Sequence, residues 1–99
     1  MTIQVIKKQI VPILKRQGVT KAALFGSVVR GDMRKKSDID ILIKYRGQKS
    51  LLDLIQLQFE LEKKIGRKVD LLTYGGIHPL LKDEILGEQK IIYEERKKS

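Results

Sequence analysis

Cysteine and tryptophan are missing from this sequence altogether, histidine occurs once, and aromatic residues make up only 5% of it. Without cysteine there is no disulfide scaffold, no thiolate zinc site and no cysteine nucleophile. One histidine, His78, cannot build a multi-histidine metal centre. Apolar runs stop after a few residues, so no segment is expected to cross a membrane. The opening Met-Thr-Ile-Gln-Val-Ile-Lys-Lys lacks the apolar core of a signal peptide, and a cytoplasmic location is expected. So few aromatic side chains also leave little for stacking on single-stranded RNA bases. What remains is a 99-residue chain, 41% hydrophobic, which is the composition of a globular protein. That length makes one domain, residues 1–99, with residues 94–99 expected to fray as a charged tail.

The charge is unevenly placed. The formal net charge is +9, and residues 1–50 hold 12 Lys+Arg against 3 acids, while residues 51–99 hold 9 of each. The three acids of the first half are Asp32, Asp38 and Asp40, surrounded by Arg30, Arg34, Lys35, Lys36, Lys44 and Arg46. Carboxylates set in a basic field suit a site where acids hold a divalent cation and bases hold a polyphosphate. A merely solvated basic face is the alternative for any one lysine.

Hydrophobic periodicity sets the expected elements. Ile3, Ile6, Ile10, Ile13 and Leu14 have helical spacing over residues 2–17, with Thr2 as cap; Pro12 is expected to kink or split this helix. Residues 22–25 read as a strand ending at Gly26-Ser27, and residues 27–30 as a short helix. Residues 38–45 read as a second strand. A helix from a Ser50/Asp53 capping box to Ile65 follows, with Leu51, Leu54, Ile55, Leu61 and Ile65 inward and Gly66 as its cap. Residues 68–73 form a strand, 74–76 a turn, 79–86 a helix and 90–93 a last strand. The order α-β-α-β-α-β-α-β implies an α/β (α+β) fold, one small mixed sheet with helices packed on it.

Three features stand out within it. Asp38 and Asp40 are two apart on a strand and project from one face, leaving Ile39, Ile41 and Ile43 to the core. Paired carboxylates repel unless a cation such as Mg²⁺ joins them, although an Asp-x-Asp can also be two exposed strand residues. Gly26-Ser27 lies between a strand and a helix, where a glycine permits close backbone approach and a serine offers a hydroxyl to an anion; an ordinary N-cap is the alternative. Asp70 sits inside a strand, where aspartate is disfavoured, either beside the other two acids or paired with Arg67 or Lys68.

Together, Leu24-Phe25-Gly26-Ser27, Arg30-Gly31-Asp32, Ser37-Asp38-Ile39-Asp40-Ile41 and Val69-Asp70-Leu71 resemble the signature of the DNA polymerase β-type nucleotidyltransferases, a Gly-Ser followed about ten residues later by Asp-x-Asp. Over nearly the whole chain the sequence resembles the minimal nucleotidyltransferase (MNT) family, the antitoxin partners of HEPN-domain toxins. The resemblance implies a polymerase β-like core. It implies that Asp38, Asp40 and Asp70 bind two Mg²⁺ ions, with Asp70 the candidate base for an attacking hydroxyl. It implies that Gly26 and Ser27 hold the β- and γ-phosphates of ATP. Arg30 either touches phosphate or anchors the loop to an acid, and Ser37 caps the loop and orients Asp38. Asp32 is expected to be a loop residue and His78 a structural or exposed one.

A chain this short has no room for an acceptor-binding domain, so the acceptor must come from outside. The resemblance names it as a tyrosine of a HEPN toxin, which makes the expected activity AMP transfer from ATP to that partner within a hetero-oligomer. Alternatives are an antitoxin that acts by binding alone, or a nucleotidyltransferase acting on RNA or on a small molecule. Nucleic acid is not the expected direct substrate.

Overall fold

Thr2 opens the first helix by accepting the Val5 N–H on its Oγ1 at 3.3 Å. In the computed structural model, which describes residues 2–31 and 38–96, helix α1 spans Ile3–Arg16. Strand β1 follows at Val19–Phe25, the four-residue helix α2 at Ser27–Arg30, and strand β2 at Ile39–Tyr45. Helix α3 (Leu51–Ile65), strand β3 (Val69–Thr73), a 3₁₀ turn (Tyr74–Gly76), helix α4 (Lys82–Glu88) and strand β4 (Lys90–Glu94) complete the order. This is the mixed α/β architecture expected from the sequence.

Pro12 does not split α1, which is continuous from Ile3 to Arg16. The proline loses one backbone hydrogen bond, but Ile6, Ile10, Ile13 and Leu14 on both sides of it are buried, and packing outweighs the local defect. Strand β1 begins three residues earlier than its apolar run, because Val19 and Lys21 pair with Tyr45 and Lys44 of β2. Helix α4 begins at Lys82, not at Pro79. The intervening residues form a turn in which His78 Nδ1 accepts the Leu80 N–H at 3.1 Å and the His78 carbonyl accepts the Leu81 N–H at 2.9 Å. At the other end, β4 continues through Glu94, and the Glu95 N–H reaches the Thr20 carbonyl at 2.7 Å.

The sheet order is β3-β2-β1-β4. Strand β1 is antiparallel to β2 and β4, whereas β2 and β3 run parallel, joined by α3 as the crossover that a parallel pair requires. One face of the sheet carries Ala22, Leu24, Ile39, Ile41, Ile43, Val69 and Leu71 against α1 and α3. The other carries Ala23, Phe25 and Leu42 against Ile77, Ile85 and Leu86. Ile39, Ile41 and Ile43 thus fill the main core as their alternation required. On α3 the inward row is Leu54, Leu57, Leu61 and Ile65; Leu51 and Ile55, expected inward, face solvent because they lie on a different helical row.

Candidate active site

Register brings the acids together. Phe25 of β1 lies opposite Asp40 of β2, and Asp40 lies opposite Asp70 of β3. Neighbouring strands are about 4.8 Å apart, so the two aspartates are side by side. Period-two alternation puts both on the face away from α1 and α3. Asp38 precedes β2 by one residue and is half-buried; Asp70 is exposed on the edge strand.

The Asp40 carboxyl is pushed up to about 6 from an ordinary 3.8. Burial is the largest cause, followed by repulsion from Asp70 and then Asp38; Arg30 opposes the shift and Glu88 adds to it. Such a carboxylate gains most from a cation. Among the described residues no three acidic or histidine side chains already enclose a metal position. Hard oxygen donors on neighbouring strands, open to water and phosphate oxygens, nevertheless fit Mg²⁺, which is held by one or two carboxylates plus substrate.

Gly26 closes one wall. Its backbone has φ 74° and ψ −148°, close to a region that only glycine populates. A Cβ there would fall on the Asp40 carboxylate. Two separate demands, conformation and space, therefore fix glycine at this position. Ser27 is the first residue of α2 and Gly26 its cap, with no side-chain capping bond, so the serine is not the ordinary N-cap that one reading allowed. The Gly26 carbonyl accepts the Val29 and Arg30 N–H groups, each at 3.1 Å, holding the turn tight.

Arg30 Nη1 pairs with Glu88 Oε1 at 2.7 Å, with the glutamate side chain 19% exposed. The contact gives Arg30 an acid to anchor to, and Arg30 also acts on the Asp40 carboxyl, which its charge lowers. Glu88 was not singled out from sequence. The signal for it is indirect: β4 pairs with β1, which returns the C-terminal end of α4 to the Gly26 turn. Asp32 and Ser37 lie outside the described residues.

This sheet, with paired acids beside a glycine turn, is a nucleotidyltransferase fold. The sequence matches the profile of the Polymerase beta, Nucleotidyltransferase family over residues 8–98, and the chain belongs to that family as a nucleotidyltransferase enzyme. One relative, MJ0435 of Methanocaldococcus jannaschii, is named a candidate protein adenylyltransferase; it is 53% identical over 88 residues, 89% of this chain and 95% of the relative. Among solved structures, a toxin–antitoxin complex with AMP-PNP superposes at TM-score 0.81 and 21% identity, covering 91% of this chain and 74% of the other. A complex of a tri-AMPylated Shewanella oneidensis HEPN toxin with MNT antitoxin superposes at TM-score 0.74 and 19% identity, covering 92% and 71%.

Proposed function

We propose that this nucleotidyltransferase transfers AMP from ATP to a tyrosine of a HEPN toxin and so acts as the antitoxin of the pair. The observation that carries the reading is the juxtaposition of Asp40 with Asp70 in register, beside a glycine turn that touches Asp40. The relative named as a protein adenylyltransferase and the fold neighbour bound to an AMPylated HEPN toxin support a protein acceptor and a HEPN partner; the tyrosine comes from the family resemblance alone.

Asp38, Asp40 and Asp70 would hold Mg²⁺, two ions in the full site. When bound, the metal neutralises charge on the triphosphate and on the three carboxylates. Gly26 and Ser27 bind the β- and γ-phosphates from the turn that opens α2, which the missing Gly26 Cβ lets pack directly against Asp40. Arg30, held by Glu88, stabilises the turn that carries them, and Ser37 orients Asp38. Asp70, on the exposed edge, accepts the proton of the incoming hydroxyl. The hydroxyl oxygen then bonds to the α-phosphorus as the bond to pyrophosphate breaks, which charge neutralisation and alignment promote.

The test is incubation with α-labelled ATP, Mg²⁺ and a HEPN-domain protein from the same organism. Label on the HEPN protein is expected, and it is abolished by the double substitution Asp38→Asn/Asp40→Asn. Neutralisation of the toxin without label would favour an antitoxin that acts by binding alone. Label retained by the double variant would remove these aspartates from the site.

A further inference from the structure

The outer face of α3 is apolar where a solvated helix should be polar. Leu51 is 71% exposed, Leu52 62%, Ile55 38% and Phe59 63%. Leu51, Ile55 and Phe59 repeat at i, i+4, i+8, a continuous row about 12 Å long. The opposite side of α3 is already satisfied by Leu57, Leu61 and Ile65 in the core, so the outer row has no work in folding this chain. It is unlike a scattered exposed leucine, which needs no explanation.

The charges around the row are sorted. The acids of α3 all have partners within this chain: Asp53 in the Ser50 capping box, Glu60 with Arg16 and Gln17, and Glu62 with the Val69 N–H at 2.8 Å. Lys49 stands just before the row, and Lys63 and Lys64 follow it, Lys63 one turn beyond Phe59 in the same register. The row is thus apolar in the middle and cationic at both ends.

We propose that this face of α3 docks the protein partner, and that the partner presents an apolar helix face bracketed by carboxylates. A second copy of this chain fits poorly, because each copy brings a net charge of +9 and the same lysines to the same ends of the row. Identification of that partner as the HEPN toxin rests on the proposed function; the chemistry of the surface does not. The surface lies across the sheet from Asp40, so binding the partner and modifying it are separate tasks of the molecule. The toxin molecule gripped by α3 is held without covering the carboxylates, which leaves them open to an acceptor tyrosine presented past the sheet edge.

Phe59→Glu changes a side chain that is 63% exposed and should leave the thermal midpoint unchanged. Complex formation with the HEPN protein is measured by calorimetry, and AMP transfer by labelling at varied toxin concentration. The expected result is binding weakened about thirty-fold, as for loss of an interfacial aromatic anchor, with KM for toxin raised and kcat retained. Binding and labelling equal to wild type would overturn the docking surface while leaving the adenylyltransferase reading intact. Self-association of the wild-type chain abolished by Phe59→Glu would overturn it in favour of a second copy. Neither binding nor labelling by the wild-type chain would sink the functional reading, and this proposal of the partner with it.

Discussion

Gly26 shows how much of a site can rest on one missing atom. A Gly26→Ala substitution must both enter a backbone region closed to alanine and displace the Asp40 carboxylate. It should cost about 2 kcal/mol of stability or more, and AMP transfer should fall further than the stability loss explains. Denaturant unfolding with parallel labelling checks this; a variant of unchanged stability would contradict the geometry. Asp40 supplies a second prediction. Its carboxyl titrates near 3.8 when unfolded and about 6 when folded, so folding favours the protonated form. That contribution is complete below about pH 3.8 and is lost as pH rises through 6. Above that, the charge is a cost, about 1 kcal/mol once discounted for a carboxylate that is only half-buried. Asp40→Asn should therefore raise the melting temperature at pH 8 by about 4–8 °C and give no gain at pH 3.5. An equal gain at both values would rule out the titration as its source. Both residues were legible in the sequence by type and spacing. The pairing of Arg30 with Glu88 was not, because it joins positions 58 apart through a strand pairing that no local pattern encodes.

Elements differed from expectation where packing overruled local preference. Capping was read correctly: Ser50 Oγ accepts the Asp53 N–H at 3.2 Å, and the Asp53 carboxylate accepts the Ser50 N–H at 3.0 Å. Ser50→Ala should cost about 1 kcal/mol, seen as a lower midpoint in urea with an unchanged slope. Pro12 was read as a break, and α1 carries it through, because four buried side chains hold the helix on the sheet. Pro12→Ala restores a backbone donor in that held helix and should stabilise by about 1–3 kcal/mol. A destabilised variant would mean that the ring packs usefully where it sits. The phase of α3 was the other departure. Periodicity over Leu51–Ile65 admits two apolar rows, and sequence alone does not say which meets the core. Leu51 and Ile55 of the second row were read as more core; only the position of the sheet shows that row to be a surface.

At the scale of the whole molecule, the sheet divides labour. Its α4 side holds the acids and the glycine turn, and its other side carries two helices whose exposed residues include Lys7, Lys8, Lys15, Lys63 and Lys64. The basic excess was legible as an attraction for anions, but composition could not separate a triphosphate from a protein surface. The two act on different rates. Long-range charge raises the encounter rate and is screened by salt within about 10 Å at 0.1 M, whereas the apolar row, exposed in the free chain, would govern how long a complex lasts once a partner covers it. Raising salt from 50 to 500 mM should thus slow association with the toxin about ten-fold while changing dissociation little. Phe59→Glu should do the reverse, speeding dissociation and leaving the salt dependence of association in place. Stopped-flow association and dilution-induced dissociation separate the two. If salt speeds dissociation as strongly as it slows association, the contact is ionic throughout, and the α3 row is not what holds the partner.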